Sequence, residues 1–383
     1  MTTSRKKIAY VTGTRADFGL MTPVLTAITK SKRLSLRVYG TGMHLMPKFG
    51  STIAEVLRVF PRAMRLKASF RDDTPLAQAA FAGALLPKVV SAFSKERPDF
   101  VLLLGDRVET LVVALACLYL GIPTGHLHGG ERSGTVDEVA RHAVSKLASL
   151  HFAATADSAR RLARMGEEQW RIRVVGAPAL DAIRAEKLTS RGELRKKLAL
   201  GSKEKFILLI QHATSETSRA AGREMRETLA ALKSFSLPIV ALYPNADPGS
   251  EAIIRCLERE RPNPFFRVFE SLPHAHFLAL LRDAAVFVGN SSAALIESAS
   301  FQLPVVTVGA RQRGRVRGEN VIAVSCERAA IRRAIAKALS AKYCAALRAT
   351  RNPWGDGKTA ERVVRALEHL PPARKLLAKQ IAY

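Results

Sequence analysis

Two short segments of this 383-residue chain concentrate side chains that can move protons. Gly105-Asp106-Arg107 follows the apolar run Phe100–Leu104. Gly125-His126-Leu127-His128-Gly129-Gly130-Glu131 comes next, and Asp137-Glu138 opens a helical stretch carrying Arg141 and His142. In open parallel sheets ligands sit beyond the carboxyl ends of strands, so polar residues at strand tips bear most on function. Opposed carboxylates in a partly dry cleft titrate apart and serve as base and acid, which makes Asp106, Glu131 and Asp137 candidates for such work. The plainer use of a carboxylate at a strand tip is a helix N-cap. His126 and His128 with Glu131 also read as a metal set, because alternate strand residues share a face. No second cluster of His or Cys supplies further ligands, so we expect neither metal nor cofactor.

A different chemistry gathers in the second half. Gly289-Asn290-Ser291-Ser292 ends the apolar run 286–288 and opens a helical stretch over 293–300. Exposed backbone N–H groups at such a turn attract an anion, and the small Ser291 and Ser292 let it approach. Glu297 lies one turn in, where it can accept hydrogen bonds from ribose hydroxyls, and His212 ends the run 206–210 as another group beside a phosphate. Arg15, in Gly13-Thr14-Arg15-Ala16-Asp17, sits at a strand-to-helix turn where it can reach an anion; the alternative is a surface arginine beside Asp17 as N-cap. Two nucleotide motifs fail. Gly357-Lys358-Thr359 has Asn352 where a phosphate loop needs glycine, and Gly40-Thr41-Gly42 lacks the third glycine of a dinucleotide fingerprint.

Placing these residues takes strands alternating with helices. The first series reads as strand 8–12 feeding a helix at 20–28, strand 34–39, helices 51–60 and 76–93, strand Phe100–Leu104, helix 111–120, strand Thr124–Leu127, helix 139–150 and strand 152–155. The second reads as 206–210, 225–232, 239–243, 252–257, Phe266–Phe269, 277–281, 286–288, 293–300 and Val305–Val308. Between them, 184–205 turns charged. Two doubly wound parallel sheets in tandem follow, with an N-terminal Rossmann-like domain over 1–185, a second over 186–357, and a helical tail over 358–383 returning to the first.

Composition bounds the rest. A hydrophobic share of 48% supports full-length cores. We expect no apolar run long enough to span a membrane and no leader segment, hence a cytoplasmic protein. Cys117, Cys256, Cys326 and Cys344 are scattered and read as buried free thiols. Sixty Lys and Arg against 33 Asp and Glu give a net charge of +27. A polyanion partner is one reading of that excess; a solvated basic exterior that steers a phosphate-bearing substrate is the other. The arginines at 311, 313, 315 and 317 have no interleaved aromatics for stacking single strands, so nucleic acid is not expected.

Taken in order, the motifs resemble the hydrolysing UDP-N-acetylglucosamine 2-epimerases of bacterial sialic-acid synthesis and their relatives acting on UDP-N,N′-diacetylbacillosamine in legionaminic-acid synthesis. The matching stretches are Tyr10–Asp17 by position, Thr41-Gly-Met-His44, Leu104–Arg107, His126–Glu131, Asp137-Glu138 with Arg141-His142, Pro244–Ser250, Gly289–Ser292, Arg311–Gly318 and Asn352–Gly357. The chain departs from the family at His212-Ala213-Thr214-Ser215 and at Gly309-Ala310-Arg311-Gln312, where the family carries His-Pro-Glu-Thr and Gly-Asp-Arg-Gln. The resemblance implies a glycosyltransferase-B-like fold whose interlobe cleft holds the diphosphate of a nucleotide sugar. It also implies anti elimination of UDP to a 2-acetamidoglycal, followed by addition of water to release the 2-epimer. By position it makes Asp106, Glu131 and Asp137 the catalytic carboxylates, Arg15, His212, Ser291 and Ser292 the phosphate contacts, and Glu297 the ribose holder. A homodimer is the default assembly. The alternatives are a glycosyltransferase of the same fold, a non-hydrolysing epimerase, and a nucleic-acid-binding protein built on a degenerate enzyme.

Overall fold

The computed structural model describes residues 5–72, 74–132, 136–201, 204–214, 217–245 and 247–382, without the side chains of Val136 and Asp137. The chain forms two compact units. The first runs to Glu131, resumes over Val136–Ala185, and takes in everything from Trp354 onward; the second contains Glu186–Pro353.

The first unit is built on a seven-stranded, wholly parallel sheet. Its strands are β1 (Lys6–Thr12), β2 (Leu34–Gly40), β3 (Met64–Arg65), β4 (Phe100–Leu104), β5 (Thr124–Leu127), β6 (Leu150–Ala153) and β7 (Ile172–Val174), in the order β3-β2-β1-β4-β5-β6-β7. The order reverses between β1 and β4, the switch point where a doubly wound sheet opens a crevice, and it is the loops after these strands that carry Arg15 and Asp106. Ile8, Tyr10, Phe100 and Leu102 pack under the helix Arg15–Lys30 through its buried Phe18, Met21, Val24, Leu25 and Ile28. Val363, Leu367 and Leu376 of the tail join the same core.

The second unit holds six parallel strands, β8 (Ile207–Ile210), β9 (Ile239–Leu242), β10 (Phe266–Phe269), β11 (Val286–Gly289), β12 (Val305–Val308) and β13 (Val321–Val324), in the order β10-β9-β8-β11-β12-β13. Here the switch point lies between β8 and β11, and the loops leaving them hold His212 and Gly289–Ser292. The doubly wound fold class expected from the alternation is therefore what forms.

Several sequence-based bounds shift for local reasons. The helix expected over 139–150 spans Val136–Leu147, because Leu150 opens the buried strand β6 and Thr155, expected inside that strand, caps the helix Ala156–Arg164 through its hydroxyl. The helix expected over 293–300 is one short turn, Ala293–Ile296, followed by the 3₁₀ segment Ser298–Phe301. Thr14, not Asp17, caps the helix Arg15–Lys30; Asp17 completes the capping box from the third helical position. By length and composition one helix, Pro75–Glu96, is apolar enough to cross a membrane, contrary to expectation. Its Ala77, Phe81, Leu85, Val89 and Phe93 recur every fourth residue and are buried, the pattern of a core helix. Cys117 and Cys256 are buried, but Cys326 is half-buried and Cys344, on the helix Ala341–Ala346, is exposed.

Candidate active site

The acid–base cluster is assembled wholly within the first unit. Asp106 sits in the turn after β4, entered through Gly105 at φ +69°. Its carboxylate is paired with the guanidinium of Arg141, whose side chain is almost fully buried. The same guanidinium donates to the His128 carbonyl at 2.9 Å and lies 3.8 Å from Glu131. Glu131 is 2% exposed and also bonds Nδ1 of His128, which adopts a left-handed φ of +62°. A non-glycine residue held there signals a constraint from its surroundings, here the bonds at both its ring and its carbonyl. One arginine thus ties Asp106, His128 and Glu131 together.

His126 shows why the metal reading fails for this pair. β5 ends at Leu127, so His126 lies on the strand and His128 beyond it, and the two rings do not share a strand face. His126 is fully buried, and burial pushes its imidazole down to about 3, keeping it neutral. The Gly105 carbonyl at 2.7 Å can only accept, so Nε2 carries the proton and Nδ1 accepts from the Ser145 hydroxyl at 3.1 Å. Both ring nitrogens are committed to holding the turn that presents Asp106.

Asp137 lies in the first turn of the helix Val136–Leu147, one turn before Arg141; its side chain is outside the described residues. Arg141 appears in the sequence motifs without a role, and His128 only in the metal reading. No local spacing signals the role of Arg141, because its partner Asp106 lies 35 residues earlier in the chain. At the β1 switch-point loop the structure gives Arg15 a carboxylate partner of its own, Glu55. Beside it, burial pushes Asp17 up to about 7, with the Glu109 charge adding to the shift. Glu109, which the sequence did not single out, is 3% exposed and leaves Oε2 without a partner. Its carboxylate fills the space a side chain at Gly13 would need, since a Cβ there would stand 1.9 Å from Oε1.

His212, Ser291 and Ser292 come together in the second unit, whereas Arg15 lies in the first. Asn290 stitches the two switch-point loops: its Oδ1 accepts from the His212 N–H at 2.7 Å and its Nδ2 donates to the His212 carbonyl at 3.0 Å. Close approach demands glycine at 289, where φ is +132° and a Cβ would meet the Ile210 carbonyl at 2.0 Å. Nδ1 of His212 accepts the Asn245 N–H at 3.1 Å, so in the neutral ring the proton is on Nε2. Ser292 precedes the turn Ala293–Ile296 without capping it through its side chain; the Ala294 N–H donates to the Ser291 carbonyl at 3.1 Å and the Leu295 N–H to the Ser292 carbonyl at 3.0 Å. Arg311 and Gln312 both donate to the Asn290 carbonyl, at 3.2 and 2.8 Å. A cavity of about 750 Å³ opens beside them, lined by Asn290, Thr307 and the four arginines 311, 313, 315 and 317, with Glu224 the one carboxylate among the described residues of its lining. Glu297 is buried, Oε1 has no partner, and burial pushes its carboxyl up to about 8.

Two doubly wound sheets, one presenting carboxylates tied by an arginine and the other a small-residue turn rimmed by arginines, define an enzyme acting on a phosphate-bearing substrate. The comparisons with known proteins carry this further. Residues 26–368 match the family model described as UDP-N-acetylglucosamine 2-epimerase. The UDP-N,N′-diacetylbacillosamine 2-epimerase (hydrolyzing) of Legionella pneumophila is 39% identical over 99% of this chain and 100% of its own. The UDP-N-acetylglucosamine 2-epimerase of Neisseria meningitidis is 33% identical over 88% of each. A crystal structure of a UDP-GlcNAc 2-epimerase from Neisseria meningitidis bound to UDP-GlcNAc superposes with a TM-score of 0.80 at 21% identity, covering 94% of this chain and 99% of that one, a likeness of fold. The chain belongs to the UDP-N-acetylglucosamine 2-epimerase family. Its motifs lead one to expect the hydrolysing kind, which the name of the Legionella pneumophila relative also carries.

Proposed function

We propose that the enzyme converts UDP-N,N′-diacetylbacillosamine to UDP and free 2,4-diacetamido-2,4,6-trideoxymannose, with UDP-N-acetylglucosamine as the second reading. Full-length similarity to the Legionella pneumophila enzyme favours the first sugar; the similarity to the Neisseria meningitidis relative keeps the second in view. The observation that carries the mechanism is the Asp106–Arg141–Glu131 cluster.

The C2–H of the sugar is not next to a carbonyl, so it becomes acidic only as the C1–O bond to phosphate lengthens and positive charge builds on the ring. A carboxylate from the set Asp106, Glu131 and Asp137 takes the C2 proton, the C–H electrons form the C1–C2 double bond, and UDP leaves with the C1–O electrons. Water then adds its oxygen to C1 of the glycal while a proton returns to C2 from the opposite face. Opposite faces require two proton carriers, which a cluster of carboxylates supplies. The departing diphosphate is held by Ser291 and Ser292 with His212, Arg311 and Arg15, and the ribose by Glu297.

The unpaired state of the four cysteines fits a reducing compartment, and we place the enzyme in the cytoplasm, in the synthesis of legionaminic-acid-type sugars. Its assembly is a homodimer: Leu115, Leu118 and Tyr119 of the helix Val108–Leu120 and Val139 of the helix packed beside it are exposed apolar side chains on one unit. Incubation in heavy water with each UDP-sugar is the test. The expected result is UDP plus a free 2-epimer carrying one deuterium at C2, formed faster from the diacetamido sugar. UDP release without C2 exchange would exclude the elimination.

A further inference from the structure

The tail from Ala373 onward is fixed to the first unit by buried charges that no step of the chemistry uses. Arg171, its side chain 1% exposed, donates to the carbonyls of Leu376 at 2.8 Å, Lys375 at 3.3 Å and Ala378 at 2.9 Å, and to Ser149 at 3.0 Å. This brings the Lys379 ammonium into the protein. There it donates to the carbonyls of Ser145, Lys146 and Ala148, at 3.0, 2.7 and 2.9 Å, and pairs with Glu167 at 2.7 Å. Those carbonyls form the C-terminal end of the helix Val136–Leu147, where intrahelical partners run out and a cation is favoured. Glu167 is buried and also takes Lys146 at 2.8 Å and His151 at 2.7 Å, so one buried carboxylate serves two ammonium groups and an imidazole.

The helix anchored in this way is the one that bears Arg141. Its last turn reaches the site by a second route as well: the hydroxyl of Ser145, whose carbonyl Lys379 binds, donates to His126, and His126 donates to the Gly105 carbonyl immediately before Asp106. Four consecutive hydrogen-bonded groups therefore run from the tail to the catalytic turn.

We propose that Lys379 is a positioning residue of the 2-epimerase reaction, which, by holding the end of the helix Val136–Leu147, sets the placement of Arg141 and, through Ser145 and His126, of Asp106. It does not touch substrate. The proposal rests on the assignment of Asp106 and Arg141 to the reaction, and the test separates the two. A small misplacement of reacting groups by a distant change lowers turnover, and we expect Lys379→Met to lower kcat roughly tenfold with KM and the Kd of UDP within about twofold of wild type. Lys379→Arg, which keeps a donor for the three carbonyls, restores most of it. Ser145→Ala, which leaves Glu167 and the tail untouched, gives the same kcat-only loss, and it keeps the idea testable if Lys379→Met fails to fold. Asp106→Asn and Arg141→Lys serve as the reference. If these two lose no turnover, the site assignment is wrong; if they do while Lys379→Met and Ser145→Ala retain wild-type kcat, the positioning role is overturned.

Discussion

Glu297 is a carboxyl poorly suited to carrying charge where it sits. Burial holds its proton up to about pH 8, and Oε1 finds no donor among the described residues. Because the folded value lies above the unfolded one, the protonated group favours the folded state at acid pH, and that advantage is lost as pH rises toward 8. Two ribose hydroxyls donating to it would favour the ionised form instead. At pH 7 UDP binding should then release close to one proton, read as a binding enthalpy that changes with the ionisation heat of the buffer, and Glu297→Gln should abolish that dependence. A wild-type enthalpy indifferent to buffer would remove Glu297 from the ribose site. For the first-unit carboxylates the expectation is different. Asp106→Asn and Glu131→Gln should each cut kcat about 100-fold or more, the scale of a lost general acid or base, while UDP affinity changes little. Weakened UDP binding with intact turnover would move them into the nucleotide pocket.

At the scale of elements, legibility followed burial. β4, β8, β11 and β12 are buried runs of four or five apolar or small residues, and their tips could be read directly, because a strand covered on both faces has no polar alternation to hide it. β3, β7 and β13 lie at sheet edges, are half-exposed or exposed, and none was expected from the sequence; β3 and β7 are too short to show an apolar run, whereas β13, Val321–Val324, has one that was not singled out. The same logic explains the site. Asp106, Glu131, His212 and Ser291 follow apolar strands and were visible, whereas the role of Arg141 depends on a helix meeting a turn 35 residues earlier in the chain, which local pattern does not encode. Exposure also picks out the face expected to pair two copies. Tyr119 is 83% exposed and Leu118 48% on a helix whose Val112, Val113, Ala116 and Cys117 are core. Replacing both with aspartate should convert a dimer to a monomer in sedimentation velocity without changing the circular dichroism. A wild-type protein that sediments as a monomer at micromolar concentration would leave this face without a partner.

For the molecule as a whole, the charge of +27 is the property least explained by the fold. Part of it is local to the chemistry: four arginines line the cavity beside Asn290, and among the described residues Glu224 is their one acidic companion there, its carboxyl pushed up by burial. Such a surface sets up a positive field that reaches a nucleotide sugar, which carries its negative charge on the diphosphate, before contact. Salt screens that field over a Debye length of about 10 Å at 0.1 M and about 3 Å at 1 M, while a buried pair such as Arg141 with Asp106 is screened far less. The two kinds of electrostatics can therefore be separated in one experiment. Raising sodium chloride from 50 to 500 mM should lower kcat/KM for the UDP-sugar several-fold, through capture, and leave kcat nearly constant, because the groups that move the proton are shielded from solvent. A kcat that falls in parallel with kcat/KM would mean that the Asp106–Arg141–Glu131 cluster itself lies open to salt, and a kcat/KM indifferent to salt would mean that the basic surface has no part in bringing substrate in.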